Sequence, residues 1–318
     1  MKTILAALMV TVAWGCASAP QQVVQGLSTV ELVATPFLPD NTTLCGPTSL
    51  ATLISAHGQP ADLELLTRQV YVPGKSGAYQ AEMIAALRSH GLVPVVLHLQ
   101  QSAPNLQAER LHQLLKDGQP ILVLQKLSRL WLSSYHYAVV VGYDAEVQRF
   151  ILRSGDNPRL KLSPRTLITS MQRAGNWALV ALSSEQPLPP AINQQEALQA
   201  AAALEDTGLV SHATWLYAAG ARRWSENPMF SFGLANLEIQ AQNWPAAIER
   251  LQTLQAQYPA NIPILNNLIA AFIEVGDRAA AERWLRYGFN LAELSPESEA
   301  VLCRLQRSYG FNTHACPG

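Results

Sequence analysis

The chain has 318 residues, of which 49% are hydrophobic and 14% charged, and its formal net charge is −1. That balance excludes a disordered protein, and the lack of a basic stripe excludes a nucleic-acid binder. The length suits two domains, and past the N-terminus no apolar run reaches the roughly 18 residues a spanning helix needs.

The first segment reads as an export signal. Lys2 is a short positive region, and Ile4 to Val12 is an apolar stretch too short to span a bilayer. It ends in Ala13-Trp14-Gly15-Cys16. Gly15-Cys16 resembles the lipobox of bacterial lipoproteins, although Leu is usual where Ala13 stands. The resemblance implies a signal peptide over 1–15, lipidation of Cys16 and a tether over 16–31. Cleavage after Ala17-Ser18-Ala19 is the alternative, and Pro20 directly behind that cut opposes it. Ala17 rather than Asp after the cysteine implies the outer membrane of a Gram-negative envelope, with the chain facing the periplasm.

Residues 32–184 mix helix, strand and turn signals. Helices are predicted over 48–57, 61–69, 79–90, 106–116 and 165–173, with Gly58, Gly91 and Asp117-Gly118 as stops. Strands are predicted over 92–99, 120–127 and 177–182, and 136–142 with 149–153 as a hairpin around Asp144-Ala145-Glu146. Helices first and a mostly antiparallel sheet after them is an α+β order.

A proline-rich linker over 185–192 separates this unit from residues 193–318, which read as helices only. Asn193, Asn227 and Asn261 recur every 34 residues, as do Ala213, Ala247 and Ala281, and Tyr217, Leu251 and Leu285. That period is the tetratricopeptide signature, in which stacked helix pairs bury what one pair cannot. Three repeats fit, with a capping helix after Pro296.

Two contexts carry chemistry. Cys45 precedes Gly46-Pro47, and proline favours the first turn of a helix. A thiol at a helix N-terminus has a lowered pKa and is a nucleophile in waiting. His136, 91 residues later, opens the apolar run Tyr137-Ala138-Val139-Val140-Val141-Gly142. Its imidazole is the candidate base. The sequence has no HExxH, no CxxC pair, no phosphate-binding glycine loop and no GxSxG. No metal and no cofactor are expected.

Leu44-Cys45-Gly46-Pro47-Thr48-Ser49-Leu50 and His136-Tyr137-Ala138-Val139-Val140-Val141-Gly142-Tyr143-Asp144 resemble the bacteriocin-processing, double-glycine peptidase family. The likeness extends to its exported lipoprotein variety with C-terminal tetratricopeptide repeats. It implies a papain-like cysteine peptidase domain over 32–184, a Cys45/His136 dyad and a third residue that orients the histidine. Two positions depart from the family. Its oxyanion glutamine, about five residues before the cysteine, is here Asp40, and Asn41 is the candidate donor if the loop shifts by one. An ionised carboxylate cannot donate. The orienting Asp or Asn corresponds to Asp156, two or three residues late, with Ser154 as the alternative occupant.

With Cys16 lipidated and Cys45 catalytic, Cys303 and Cys316 remain, either as a disulfide of an exported protein or as two separate thiols. The expectation is a lipid-anchored envelope cysteine peptidase acting on a protein or peptide substrate, with a protein partner held by the repeats. The alternative is a weak or inactive papain-like module that serves as a scaffold for protein binding.

Overall fold

The structure is a computed structural model and describes residues 26–39, 44–72, 74, 77–100, 102–129, 132–292 and 294–316. The signal segment, Cys16, Asp40 and Asn41 lie outside the described residues. Among the described residues no helix is long and apolar enough to cross a membrane.

The N-terminal unit is built on one antiparallel sheet. Its main path runs β4 (Val93–Val96), β9 (Ala178–Leu182), β5 (Ile121–Arg129), β6 (Leu132–Asp144), β7 (Arg149–Ser154) and β8 (Asn157–Leu162). A short β1 (Val30–Glu31) also pairs with β6. The sheet thus takes in two residues of the segment expected to be tether. The Ser28 carbonyl accepts from His112 Nε2 at 2.7 Å, and Thr29 Oγ1 accepts from the Ala145 amide at 3.0 Å.

Strand alternation gives the sheet two apolar faces. Leu122, Leu124, Tyr137, Val139 and Val141 meet α1 (Cys45–Ala56), α2 (Leu63–Val70) and α3 (Gln80–Ser89) on one face. Ile121, Val123, Ala138 and Val140 meet α4 (Pro104–Lys116) and α5 (Pro164–Arg173) on the other. Each face excludes water from one side of the same strands, so the residues near 136 are fixed from both directions.

Sequence and structure differ at three places. Helix α1 begins at Cys45 itself, not at Thr48. The β5–β6 ladder runs on past Gln125↔His136 to Arg129↔Leu132, so His136 is the fifth residue of its strand, not the first. Leu127 and Tyr135 are exposed on this extension, and the absence of burial there is why no periodic signal marked it. Strand β8 was not among the expected elements: Asn157-Pro158 opens it, and proline is tolerated only at a sheet edge such as this.

The C-terminal unit is helical throughout, from α6 (Gln194–Asp206) and α7 (Val210–Arg223) through α8 (Pro228–Gln240), α9 (Trp244–Gln257), α10 (Ile262–Glu274) and α11 (Arg278–Phe289) to α12 (Pro296–Tyr309). The 34-residue asparagines are N-caps. Asn193 accepts from the Glu196 amide, Asn227 from Met229 and Asn261 from Ile264. Each such cap is worth about 1 kcal/mol. Ala213, Ala247 and Ala281 are fully buried between helices. Gly220 is equally restricted: a Cβ there would sit 2.1 Å from the Phe230 ring, so only glycine lets α8 lie on α7. Cys303 on α12 is bonded to Cys316, with a sequence separation of 13. Closing a loop of that size is worth about 3 kcal/mol in the chain-entropy model.

The segment 185–192 is pinned rather than loose. Pro189 and Ile192 are buried, the Ala191 amide donates to Asp117 Oδ2 at 2.9 Å, and Arg223 donates to the carbonyls of Pro189 and Pro190. Beyond it, Ala197, Ala201, Leu204 and Leu216 join the same core as Val93, Val95 and Leu111. Glu196, 1% exposed, closes this junction. Its carboxylate pairs with Arg110 and accepts from the His98 amide at 2.5 Å. It also completes the capping box of α6.

Candidate active site

Helix α1 owes its start to local sequence. Leu44 is the N-cap and its side chain makes no capping bond; Pro47 has no N–H to leave unpaired. The first intrahelical bond in this turn runs from the Thr48 amide to the Leu44 carbonyl at 3.0 Å. The positive end of the helix therefore coincides with Cys45, where it favours thiolate over thiol. Gly46 brings the site together: a Cβ there would lie 2.6 Å from Ala78 Cβ, so only glycine admits β3 (Gly77–Ala78) this close. Cys45 is half-buried against the core that contains Tyr137.

Tyr137 links the two sequence motifs. Its hydroxyl donates to the Ala78 carbonyl at 3.3 Å, and its ring packs edge-on against Trp177. Burial pushes the phenol well above its ordinary value, and negative charge on Cys45 and on Glu82 adds to the rise. The phenol is therefore a neutral donor at any physiological pH.

His136, on the neighbouring position, is half-buried, and its Nε2 is 2.8 Å from Ser154 Oγ. Burial lowers the ring below its ordinary value of 6.5, so it is neutral at pH 7. If Nε2 carries the proton and donates to Ser154, Nδ1 is left as the acceptor, the tautomer a base needs. Ser154 in turn lines a small cavity with Thr48, Ser49 and Thr52 of α1, so the histidine's partner and the cysteine's helix share one wall.

Asp156 is placed differently from the expectation that it orients the ring. It is exposed in the turn between β7 and β8, and the residue hydrogen-bonded to His136 is Ser154. The β7–β8 ladder shifts register between Leu152 and Ser154, and this irregularity puts serine at the site. Tyr137, Thr48 and Glu82 were not singled out from the sequence. Only the position of Tyr137 directly after His136 could have drawn attention to it. Among the described residues no cluster of His, Cys, Asp and Glu could hold a metal ion.

Residues 28–156 match the Peptidase_C39 like family. No curated protein matches the chain. Several solved structures resemble it. A protein described as a C39-like peptidase from Bacillus anthracis is 19% identical, with 49% of this chain and 98% of that one covered and a TM-score of 0.40. A double glycine motif protease from an AMS/PCAT transporter, in complex with its leader peptide, is 17% identical, with 50% and 95% covered and a TM-score of 0.35. MamA of MSR-1 is 19% identical, with 38% and 69% covered and a TM-score of 0.30. At these scores the structural likenesses decide nothing by themselves. The family match spans Cys45, His136 and Ser154 together: residues 28–156, within a sheet-containing papain-like domain, match the Peptidase_C39 like family, and an all-α repeat domain follows in this chain.

Proposed function

We propose that the chain is a cysteine peptidase of the bacterial cell envelope, anchored by lipid on Cys16, whose repeats bind a protein substrate or partner. The observation that carries the reading is a cysteine at a helix start in the same domain as a neutral histidine oriented through Nε2. In the reaction His136 Nδ1 takes the Cys45 proton, and the thiolate attacks the scissile carbonyl carbon. The tetrahedral intermediate collapses to a thioester as the imidazolium gives its proton to the leaving amine. Water, deprotonated by the neutral ring, then hydrolyses the thioester and regenerates the thiol.

Iodoacetamide at neutral pH, followed by peptide mapping of the native protein, tests the nucleophile. Cys45 is the expected site of rapid modification, since Cys303 and Cys316 are bonded to each other. Slow labelling of Cys45, at the rate of an ordinary cysteine peptide, would sink the assignment. Cys16→Ser tests the anchor: it should leave the precursor uncut or shift the protein to the soluble fraction. A wild-type mature N-terminus at Pro20 would count against lipidation.

A second reading, a weak or inactive module used for binding, is favoured by two residues. Asp40 stands where the family has an oxyanion donor, and Ser154 offers the imidazolium no negative charge. Asp40→Gln separates the two readings. In an active peptidase it should raise turnover about tenfold or more, because one oxyanion donor is worth about 100- to 1000-fold in rate. In a binding module neither form cleaves any member of a broad peptide library.

A further inference from the structure

Two carbonyls far apart in the chain meet on one side chain. Arg153 is 9% exposed and directly precedes Ser154, the residue bonded to His136. Its Nε and Nη2 donate to the Thr35 carbonyl at 3.3 and 3.0 Å, and its Nη1 donates to the Pro158 carbonyl at 2.6 Å. The direction of these bonds is fixed, because a guanidinium only donates and a carbonyl only accepts. Among the described residues no carboxylate is hydrogen-bonded to Arg153: Glu31 is 4.0 Å away and is bonded twice by Arg159. Holding a buried cation on carbonyls alone is expensive, and apolar side chains would pack the same space at less cost. What the guanidinium adds is a rigid fork that sets two segments at once.

Both segments lead to the site. Pro158 has no N–H to give the ladder. Leu152 pairs with Leu160 and Ser154 with Asn157, so Arg153 alone stands opposite Pro158 and Arg159. That is a bulge, with two residues against one. The Pro158 carbonyl is bound by Arg153 itself, so the guanidinium closes the irregularity that brings Ser154 to the ring. Thr35, 6% exposed, belongs to the segment that runs on from β1 towards Cys45. Leu32 still donates to the Val141 carbonyl at 2.8 Å. Over 33–38, the hydrogen bonds that tie this segment to another element among the described residues are those from Arg153. Leu38 packs on the same apolar cluster as Cys45.

We infer that Arg153 is a positioning residue, whose guanidinium clamps the approach to Cys45 against the bulge that presents Ser154 to His136. It acts through Ser154 on one side and through the 33–38 segment on the other, and it meets neither substrate nor reacting atoms. The two candidate catalytic groups stand 91 residues apart in the chain, and the clamp keeps their supports in register. Its effect on turnover rests on the peptidase reading, whereas its effect on the ring does not.

Arg153→Lys keeps the charge and loses the fork. In the full chain it should lower kcat about 10- to 100-fold, the cost of a misplacement near 1 Å, with KM changed less than about twofold. The nitrogen-15 ring resonances of His136 should move at constant pH, and iodoacetamide should modify Cys45 more slowly. Arg153→Gln, too short to serve both carbonyls, should do the same. A side chain that merely stabilises the fold would lower the melting temperature and leave these readouts, per folded molecule, as in the wild type. That result for Arg153→Lys overturns the inference. A rise in KM alone overturns it too, since the residue would then meet substrate. Displaced His136 resonances in Arg153→Lys, from a protein whose wild type cleaves no peptide, uphold the clamp and remove the peptidase. If neither variant folds, hydrogen exchange of the wild type in low urea decides. The Thr35 amide and the ladder amides of β7 should share one opening, and two separate openings refute the clamp.

Discussion

On the peptidase reading proposed above, Cys45→Ala should reduce peptide turnover to background, a loss of about 10⁴- to 10⁶-fold. His136→Ala does nearly as much, and the double variant does no more, because the two side chains act as one unit. Ser154→Ala falls far less, by about tenfold, since it removes one neutral hydrogen bond and leaves the ring buried. The measurement is initial rate on a fluorogenic peptide selected from a library with the wild-type protein. Additive losses for Cys45→Ala and His136→Ala would show that the two do not share a step. Ser154→Ala as damaging as His136→Ala would mean that the serine touches the reacting atoms.

Glu196→Ala lowers stability by about 3–5 kcal/mol, the usual result of stripping one partner from a buried ion pair. Three groups lose the Glu196 carboxylate at once: the Arg110 guanidinium, which keeps only the His98 and Ala191 carbonyls, the His98 amide and the Asn193 amide at the start of α6. Glu196→Gln is milder, because a carbonyl oxygen still accepts from a backbone amide. Replacing both charges, Arg110→Met with Glu196→Leu, costs less than Glu196→Ala alone. Thermal and urea unfolding read these differences. The wild type should unfold in one transition, since the sheet and the first repeats share a core. A loss under about 1 kcal/mol for Glu196→Ala, or two well-separated transitions in the wild type, would show that the ion pair does not join the units.

The sequence revealed what is periodic and what is locally encoded. The caps at Asn193, Asn227 and Asn261 announced the repeats because a cap acts on its own helix. Cys45 was legible for the same reason: Gly46-Pro47 sets the start of a helix within four residues. The partner of His136 was not legible. Whether Ser154 or Asp156 reaches the ring depends on an irregularity in a ladder with β8, an edge strand whose alternation is interrupted by Pro158. Nor did anything local show that Glu196 faces Arg110, 86 residues away. A glutamate three residues after an asparagine is fully explained as a capping box, and that sufficient explanation concealed its second role.

That second role sets an order of events during synthesis. The chain emerges N-terminus first, so β4, α4 and the sheet are available before α6 exists. Until α6 emerges, Arg110 lacks its counter-charge and the His98 amide its acceptor, and one side of Val93 and Val95 has no cover. The apolar core that ends on Phe230 and Leu237 cannot close before the second repeat has followed. The papain-like domain therefore matures late, after most of the polypeptide is out, and an unfinished chain has a candidate nucleophile on a domain that is not yet complete. The shared core closes with the repeats rather than ahead of them.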